Sequence, residues 1–305
     1  MRTDPLLGRA PLSLDVALKQ VAGEIDAVFD LLLSVPGDAR RRLFEAMRHA
    51  AIGGGKRLRP LLVVATAELF NVARETAVRV GAAVEAIHVY SLIHDDLPCM
   101  DDDDMRRGKP TVHRAFDEAT AVLAGDSLHA LAFEILASPE THPDPFVRSE
   151  LIATLALASG PDGMAGGQMM DLEAEKASFD LPTVTRLQAL KTGALIAASV
   201  EMGAILGHAP IEGRTHLRGY ARDVGLAFQI VDDIMDVEGD AQLAGKALGK
   251  DADAGKATFV SLMGLERAKQ QAGMLVEQSL SHLAGYGAEA DLLRAIARYV
   301  LERDH

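Results

Sequence analysis

Apolar residues recur every three to four positions through long windows of this chain, which is the spacing of one helix face. No segment alternates apolar and polar residues over enough positions to predict a half-buried strand. Aromatic residues make up only 4% of the 305 residues and Trp is absent, whereas Ala and Leu, both strong helix formers, are abundant. The sequence therefore predicts an all-α fold.

Proline and glycine mark the breaks between the predicted helices. The helices are expected at 14–33, 40–51, from about 60, 73–97, 119–137, 145–159, 183–206, 214–237, 256–283 and 288–302, with Ser13 as the first N-cap. No internal repeat and no Gly/Ser/Pro-rich linker divides the chain, so we expect one large domain over residues 1–305. Residues 1–12 are expected to be disordered.

The charge balance and the single cysteine limit the partners of this chain. Lys and Arg number 31 against 44 Asp and Glu, a net charge of −13, which argues against a nucleic acid held on a basic surface. Cys99 is the only cysteine, which excludes an internal disulfide and a thiolate zinc cluster. No uncharged run reaches the roughly 18 apolar residues of a membrane span, so we expect no span and a cytoplasmic location.

An acidic segment follows one strongly apolar predicted helix. Residues 95–110 read DDLPCMDDDDMRRGKP, with six Asp in the first ten positions. Clustered carboxylates beside an apolar helix need cations to be tolerated. On an ideal helix Asp95 and Asp101 would point about 120° apart, so both reach one ligand only if the helix ends between them. Pro98 provides such a break.

A second acidic segment, QIVDDIMD at 229–236, lies inside another apolar helix. Asp232 and Asp236 are four residues apart and therefore share a helix face, offset by about 40°. Two clusters of carboxylate oxygen without grouped His or Cys indicate Mg²⁺, which is typically shared with phosphate oxygens. Two unrelated acidic helix ends are the alternative for each cluster taken alone.

Three cationic segments complement the carboxylates. The sequence GGGKRLRP at 53–60 places three cations on a glycine-rich turn that opens a helix, as in a diphosphate cradle. Arg106, Arg107 and Lys109 follow the first acidic segment, and Lys246, Lys250 and Lys256 follow the second. This alternation of carboxylate and cation favours a site for metal and diphosphate over isolated surface patches.

Several single residues are weaker candidates. His88 lies seven residues before Asp95, on nearly the same helix face, and is either a ligand or a core histidine. Lys191 and Thr192, which precede Gly193, interrupt an apolar helix. They either bring a cation and a hydroxyl inward or form a kink beside a solvated lysine. The segment Gly166-Gly167-Gln168 and Asp171 break a helical pattern and are candidates for lining the site, whereas Asp126 is expected to cap a helix.

In their order along the chain these motifs resemble those of the trans-isoprenyl diphosphate synthases, the polyprenyl synthetase family, and most closely the bacterial farnesyl diphosphate synthases. The resemblance covers the chain from about Gly53 to the C-terminus. It depends on GGGKRLRP, DDLPCMD with its trailing RRGKPT, KTGALI, FQIVDDIMD and the lysines at 246 and 256. It implies helices around a deep central cavity, with the two aspartate motifs facing each other across its mouth, and a homodimer.

The resemblance also implies a role for each matching residue. Three Mg²⁺ ions would be held by Asp95, Asp101 and Asp232, supported by Asp96, Asp233 and Asp236. An allylic diphosphate would be bound by Arg106, Lys191, Lys246 and Lys256. Isopentenyl diphosphate would be bound by Gly55, Lys56, Arg59, His88 and Arg107, and Thr192 and Gln229 would lie beside the reacting carbons. The products would be a longer allylic diphosphate and free diphosphate, which accepts the lost proton.

The length of the product is expected to depend on Tyr90 and Ser91. Tyr90 lies five residues before Asp95, about 7.5 Å along the helix axis, where a growing tail would meet it as a floor. In the family that the chain resembles, an aromatic residue here accompanies fifteen-carbon products, and the small Ser91 leaves room above. Ordinary core packing is the alternative role of Tyr90. A cysteine at the position of Cys99 resembles the twenty-carbon synthases and favours the longer product.

Two other classes of protein share parts of this pattern. A class I terpene cyclase would lack the second aspartate motif and the cations Lys56, Arg59 and Arg107, all of which are present. An inactive or regulatory helical subunit on the same scaffold would be expected to lose an aspartate motif, and neither is lost. Near the C-terminus, Arg303 is a candidate for closing on bound diphosphate.

Overall fold

The computed structural model describes residues 13–238 and 257–303, and these form helices joined by short turns. The helices of the first half are α1 Leu14–Leu32, α2 Arg41–Ala51, α3 Leu58–Glu68, α4 Arg74–Asp95, α5 Val112–Ala115, α6 Glu118–Ala137 and α7 Pro145–Ser159. Those of the second half are α8 Met164–Ala174, α9 Leu181–Gln188, α10 Ala194–Leu206, α11 Ile211–Glu238, α12 Phe259–Met263, α13 Leu265–His282 and α14 Asp291–Glu302. The predicted all-α fold is confirmed.

Most predicted helix boundaries agree with the structure within a few residues, and the exceptions have local causes. Two-residue strands β1 Met105–Arg106 and β2 Lys109–Pro110 pair as an antiparallel hairpin that the sequence pattern did not predict. The predicted helix 256–283 is divided at Gly264, whose φ of 85° ends α12. The predicted interruption at Lys191–Gly193 is confirmed, since Ala189–Gly193 forms a π-helical turn between α9 and α10.

Three expectations about helix ends are corrected by the structure. Asp126 does not cap a helix, because α6 begins eight residues earlier at Glu118 and is capped by Asp117, whose side chain accepts a hydrogen bond from the Thr120 N–H. The segment around Gly166 does not break a helix but lies within α8. Ser13 precedes α1 as expected, but its side chain makes no capping hydrogen bond.

The core is formed by helices that are apolar on most of their circumference. In α3, residues Pro60 to Ala67 are all buried, and α10 is buried from Ser199 to Leu206. These two helices pack on each other, α3 also packs on α4, and α10 also packs on α11. Since α4 and α11 both carry aspartates at or near their C-terminal ends, this packing places acidic groups beside an apolar core.

Three helical segments are long and apolar enough, by length and composition alone, to meet the criterion for a membrane-spanning segment. They are Arg74–Asp95, Glu118–Ala137 and Leu181–Leu206. Within the fold 67% of the first window and 61% of the third are buried, but only 39% of the second. Packing inside the protein accounts for the apolar character of α4 and α10, whereas α6 keeps an exposed apolar face.

Candidate active site

A cavity of about 480 Å³ opens between α3, α4, the β1–β2 hairpin, α10, α11 and the end of α14. Many of the predicted site residues line it together. These are Gly55, Lys56, Arg59, His88, Arg106, Arg107, Thr192, Gln229 and Asp232. The chain therefore brings the glycine-rich turn, the first arginine pair and the second aspartate segment to one cavity, as the sequence predicts.

The glycine-rich turn is shaped by left-handed backbone before α3. Gly53 and Gly55 have φ angles of 74° and 80°, and Arg57 has a φ of 53°. At Gly55 a Cβ atom would lie 2.6 Å from Nη1 of Arg107. The backbone conformation at Gly55 therefore favours glycine, and the absence of a side chain there lets the Arg107 guanidinium lie against the turn.

A buried ion network anchors this turn and was not predicted from the sequence. The Arg57 guanidinium is bound at 2.7 Å to Oε1 of Glu85 on α4 and at 2.8 Å to Oδ1 of Asp26 on α1. Arg57 and Glu85 are 2% and 1% exposed. Since Arg57 lies between Lys56 and Arg59, the network fixes the direction in which the turn presents those cations.

Two cations of the cavity, Arg59 and Arg107, are partly desolvated and lie near other positive charges. Burial lowers the pKa of Arg59 and of Arg107, and the nearby Glu85 carboxylate opposes both shifts. The pKa of His88 lies well below its usual value, chiefly because the ring is buried and also because Arg59 and Arg107 are close. His88 is therefore neutral at pH 7, and the other two groups remain cations that a bound anion would stabilise.

Asp95 and Asp101 are brought together by the turn that ends α4. The Asp101 N–H donates to the Asp95 carbonyl at 2.8 Å, which folds the chain back after Pro98. Burial raises the pKa of Asp95 to about 6; Lys191 acts against the shift and Asp101 adds to it. A half-buried carboxylate beside a second carboxylate is stabilised by added positive charge, which a bound cation would supply.

Asp96 has a different partner from Asp95. It is 3% exposed and accepts a hydrogen bond from Nε of Arg106 at 2.7 Å, with Nη2 of Arg106 2.6 Å away. This bidentate pair links the end of α4 to the hairpin. Asp96 therefore holds Arg106 at the wall of the cavity.

Lys191 projects from the π-helical turn toward α8. Its Nζ lies 2.8 Å from Oδ2 of Asp171, one of the residues that the sequence marked as possible site lining. At Gly167 a Cβ atom would lie 2.1 Å from the Lys191 backbone nitrogen, so only glycine lets α8 pack this closely. A π-helical turn, which contains one extra residue, often lies at a functional site. Here the turn carries Lys191 and Thr192.

In the second aspartate segment the carboxylates point in different directions. Asp232 faces the cavity, where Nε2 of Gln229 lies 3.1 Å from Oδ2 and Nη2 of Arg303 lies 2.7 Å from Oδ1. Asp233 is buried and accepts a hydrogen bond from the Phe259 N–H at 2.6 Å. Asp233 thus joins α11 to α12, and Asp236 lies one helical turn beyond Asp232.

A family model described as polyprenyl synthetase matches residues 40–296, which is most of the chain. The chain belongs to the polyprenyl synthetase family. It is 48% identical over 269 residues to the farnesyl diphosphate synthase of Escherichia coli K12, covering 85% of this chain and 89% of that protein. A chloroplastic geranylgeranyl pyrophosphate synthase of Capsicum annuum is 44% identical, with 86% and 72% covered.

A solved structure agrees with the fold as well as the sequence. The apo crystal structure of an FPP/GFPP synthase from Zymomonas mobilis is 61% identical, with a TM-score of 0.87 over 94% of this chain and 98% of that one. The all-α arrangement of this polyprenyl synthetase is thus the fold of its relatives. The family resemblance derived from the sequence motifs is confirmed.

The acidic groups of this polyprenyl synthetase fit Mg²⁺ by their chemistry. Asp95, Asp101 and Asp232 would offer it carboxylate oxygens, which Mg²⁺ prefers. Among residues 13–238 and 257–303, no group of three or more His, Cys, Asp or Glu could hold a metal by itself. A metal at these carboxylates would therefore need further oxygen ligands from water and phosphate, as Mg²⁺ commonly has.

Tyr90 and Ser91 do not lie in the lining of the cavity. The Tyr90 ring packs edge-on against His129 of α6, with centroids 4.9 Å apart, and against His94 at 5.8 Å. The Ser91 hydroxyl donates to the His88 carbonyl at 2.9 Å. Tyr90 therefore lies between α4 and α6, below Asp95 on the same helix.

Some predictions fall outside the described residues, and some site residues were not predicted. Lys246, Lys250 and Lys256, and the disorder expected for residues 1–12, lie outside the part of the chain that the structure describes. The cavity is also lined by Glu85, Phe228 and Tyr299, for which the sequence predicted no role. A charged residue one turn before His88 in an apolar helix is the signal that could have identified Glu85.

Proposed function

We propose that this chain condenses isopentenyl diphosphate with dimethylallyl diphosphate and then with geranyl diphosphate, giving farnesyl diphosphate and diphosphate. The observation that carries the proposal is the single cavity in which Lys56, Arg59 and Arg107 face Asp232 across apolar walls. Its prenyltransferase class is supported by the farnesyl and geranylgeranyl diphosphate synthases among its relatives. The assignment of individual residues is part of the proposal.

Isopentenyl diphosphate binds at the turn before α3 without a metal. Lys56, Arg59 and Arg107 supply positive charge, and the neutral His88 supplies a hydrogen bond. Gly55 allows the Arg107 guanidinium to lie against the turn. Because Arg59 is desolvated and is repelled by Arg107, a diphosphate bound beside them relieves the repulsion and is held more strongly than by cations in water.

The allylic diphosphate binds beside Asp95, Asp101 and Asp232, together with Arg106 and Lys191. Bound Mg²⁺ would neutralise the departing diphosphate and so assist ionisation of the allylic C–O bond. Arg106, held by Asp96, and Lys191, held by Asp171, stabilise the same developing charge. Leu92, Ile196 and Phe228 exclude water from the carbocation, and Thr192 and Gln229 lie alongside it.

The proton lost after condensation goes to the released diphosphate. Two groups of the cavity could otherwise be considered as bases, and both are unsuitable. The pKa of His88 is held far below its usual value by burial and by the neighbouring arginines, and Glu85 is engaged by Arg57. The aspartates are assigned to the metal ions.

The proposal is tested by measuring diphosphate release from each substrate alone and from both together. Condensation requires both isopentenyl and allylic diphosphate, and chelation of Mg²⁺ by EDTA should stop it. Release from the allylic substrate alone would instead indicate a cyclase or a hydrolase. No release under any condition would support an inactive or regulatory subunit and contradict the proposal.

Product length provides the first prediction. Replacing Tyr90 by Ala removes the ring that packs against His129, so the tail is expected to extend into that space and the main product to become twenty carbons long. Tyr90→Phe keeps the ring and should keep the fifteen-carbon product. Mass spectrometry of the dephosphorylated alcohols distinguishes the two, and an unchanged product from Tyr90→Ala would remove the floor role.

Geranylgeranyl diphosphate is the second candidate product. It is favoured by Cys99, because a cysteine at this position resembles the twenty-carbon synthases. Cys99 is free and exposed on the turn after α4. We favour farnesyl diphosphate because Tyr90 precedes Asp95 on α4, in the direction along the helix axis in which the tail would extend. Cys99 lies off that path. The small side chain of Ser91 leaves room for the tail above the Tyr90 ring.

The apolar face of α6 is assigned to a homodimer interface. Val122 and Leu123 on this helix are 41% and 56% exposed, and most of the apolar window of α6 is not covered by its own chain. A second copy of the chain would cover this face better than solvent. On this account α6 is a subunit contact and not a membrane span, and the enzyme is cytoplasmic.

The dimer provides the second prediction. Leu123→Glu introduces a charge at the centre of this face and should convert the dimer to a monomer, as measured by light scattering after gel filtration. Leu31→Glu is the matched control, since Leu31 is 73% exposed on α1, and it should stay dimeric. A wild-type monomer, or a dimer that Leu123→Glu leaves intact, would contradict the assignment.

A further inference from the structure

The side chain of Arg303, the residue after α14, forms an ion pair with the carboxylate of Asp232 in the second aspartate segment. Its Nη2 lies 2.7 Å from Oδ1 of Asp232, while the amide of Gln229 approaches Oδ2 at 3.1 Å. Both oxygens of this carboxylate are therefore already engaged by N–H groups. A metal ion approaching Asp232 meets the positive charge of Arg303.

The guanidinium of Arg303 is held in place by Phe228 on α11. It lies 3.5 Å from the centre of the Phe228 ring and donates to the Phe228 carbonyl at 2.5 Å. One turn earlier on α14, Tyr299 faces Nζ of Lys56, 5.4 Å from its ring centre. The last turn of α14 therefore covers the cavity from one side and places Arg303 over Asp232.

This arrangement, the Arg303 clasp, is incomplete as a structural ion pair. Within the described residues the buried Nε of Arg303 has no hydrogen-bond partner. The Arg303 side chain is 5% exposed, but the Asp232 side chain is 42% exposed and open to ions from the cavity. An unsatisfied buried donor weakens the pair, and the exposed carboxylate allows it to be exchanged.

We propose that Arg303 is a built-in counter-ion of Asp232 that a divalent cation must replace, so that the clasp lowers the metal affinity of the substrate-free enzyme. This inference rests on the metal role of Asp232 in the proposed function. A guanidinium and a divalent ion a few ångströms apart repel each other, so one carboxylate cannot hold both without a loss of affinity. Once displaced, Arg303 remains in the cavity that it lines together with Lys56 and Arg107.

The test is the affinity of the full chain for Mn²⁺ alone, measured by the electron paramagnetic resonance signal of free Mn²⁺. Arg303→Met should bind Mn²⁺ about fivefold to tenfold more tightly than wild type, as expected for loss of one part-buried ion pair. Arg298→Met is the matched control, because Arg298 is exposed on the same helix and its loss changes the charge equally. Its Mn²⁺ affinity should equal that of wild type.

Three further outcomes decide the proposal. Equal or weaker Mn²⁺ binding by Arg303→Met would overturn it, and weaker binding would make Arg303 a support for the bound metal. The proposal would also be overturned if neither wild type nor Arg303→Met bound Mn²⁺ in a saturable way. Asp232→Asn should lose the site; if it does not, the metal assignment fails and the clasp with it. Arg303→Gln provides a second variant, and circular dichroism checks that each variant is folded.

Discussion

Asp232→Ala is expected to reduce turnover by at least about 10³-fold while the protein stays folded, because it removes a charge-stabilising ligand at the departing diphosphate. Asp232 faces the cavity, and its side chain is 42% exposed, so it is not part of the apolar core. Its loss leaves Arg303 with the Phe228 carbonyl and ring as partners. The effect should appear in kcat and not in the folded structure.

Steady-state diphosphate release and a thermal melt measure the two halves of this prediction. Asp162→Ala is the matched control, since Asp162 is an exposed aspartate in the turn before α8, away from the cavity. It should keep full activity. Turnover of Asp232→Ala near the wild-type rate would remove Asp232 from the catalytic site, and unfolding of the variant would assign it a structural role.

Arg57→Met is expected to raise the KM for isopentenyl diphosphate about 100-fold, which corresponds to a loss of roughly 3 kcal/mol of binding free energy. Two effects act in the same direction. The turn that carries Lys56 and Arg59 loses its anchor, and the buried carboxylate of Glu85 is left facing the diphosphate site. The free energy of unfolding should fall by about 3–5 kcal/mol for the same reason.

A double variant separates the two effects of Arg57. Arg57→Met with Glu85→Gln removes the unpaired charge and should restore part of the affinity, while the turn stays unanchored. The control is Arg74→Met, which breaks the more exposed contacts of Arg74 with Glu24 and Glu68 and should leave KM unchanged. An equal increase in the KM of the allylic substrate would show that Arg57 supports the fold in general.

The helices and the meeting of Asp95 with Asp101 were predictable from local pattern. Apolar spacing gives the helix faces, and Pro98 ends α4, so the return of the chain to Asp95 needs no long-range information. Gly53 and Gly55 likewise show in the sequence that the turn before α3 needs left-handed backbone. These features are local, and local patterns are what a sequence displays.

The partners of the charged residues were not predictable, because they depend on packing between distant segments. Arg57 pairs with residues 28 and 31 positions away, and Arg303 reaches across to Asp232 from the end of the chain. Asp233 looks like Asp232 in the sequence, yet it is bound to the N-terminus of α12. Helix α8 was missed because its paired glycines, of which Gly167 allows close packing on the π-helical turn, resemble a break.

The most direct test of the account is the identity of the alcohols obtained after purified protein is incubated with Mg²⁺, dimethylallyl diphosphate and isopentenyl diphosphate and the products are dephosphorylated. Mass spectrometry is expected to find farnesol as the main product. Geranylgeraniol as the main product would contradict the proposal that Tyr90 stops the growing tail, and the absence of any prenyl alcohol longer than the allylic substrate would contradict the assigned condensation itself.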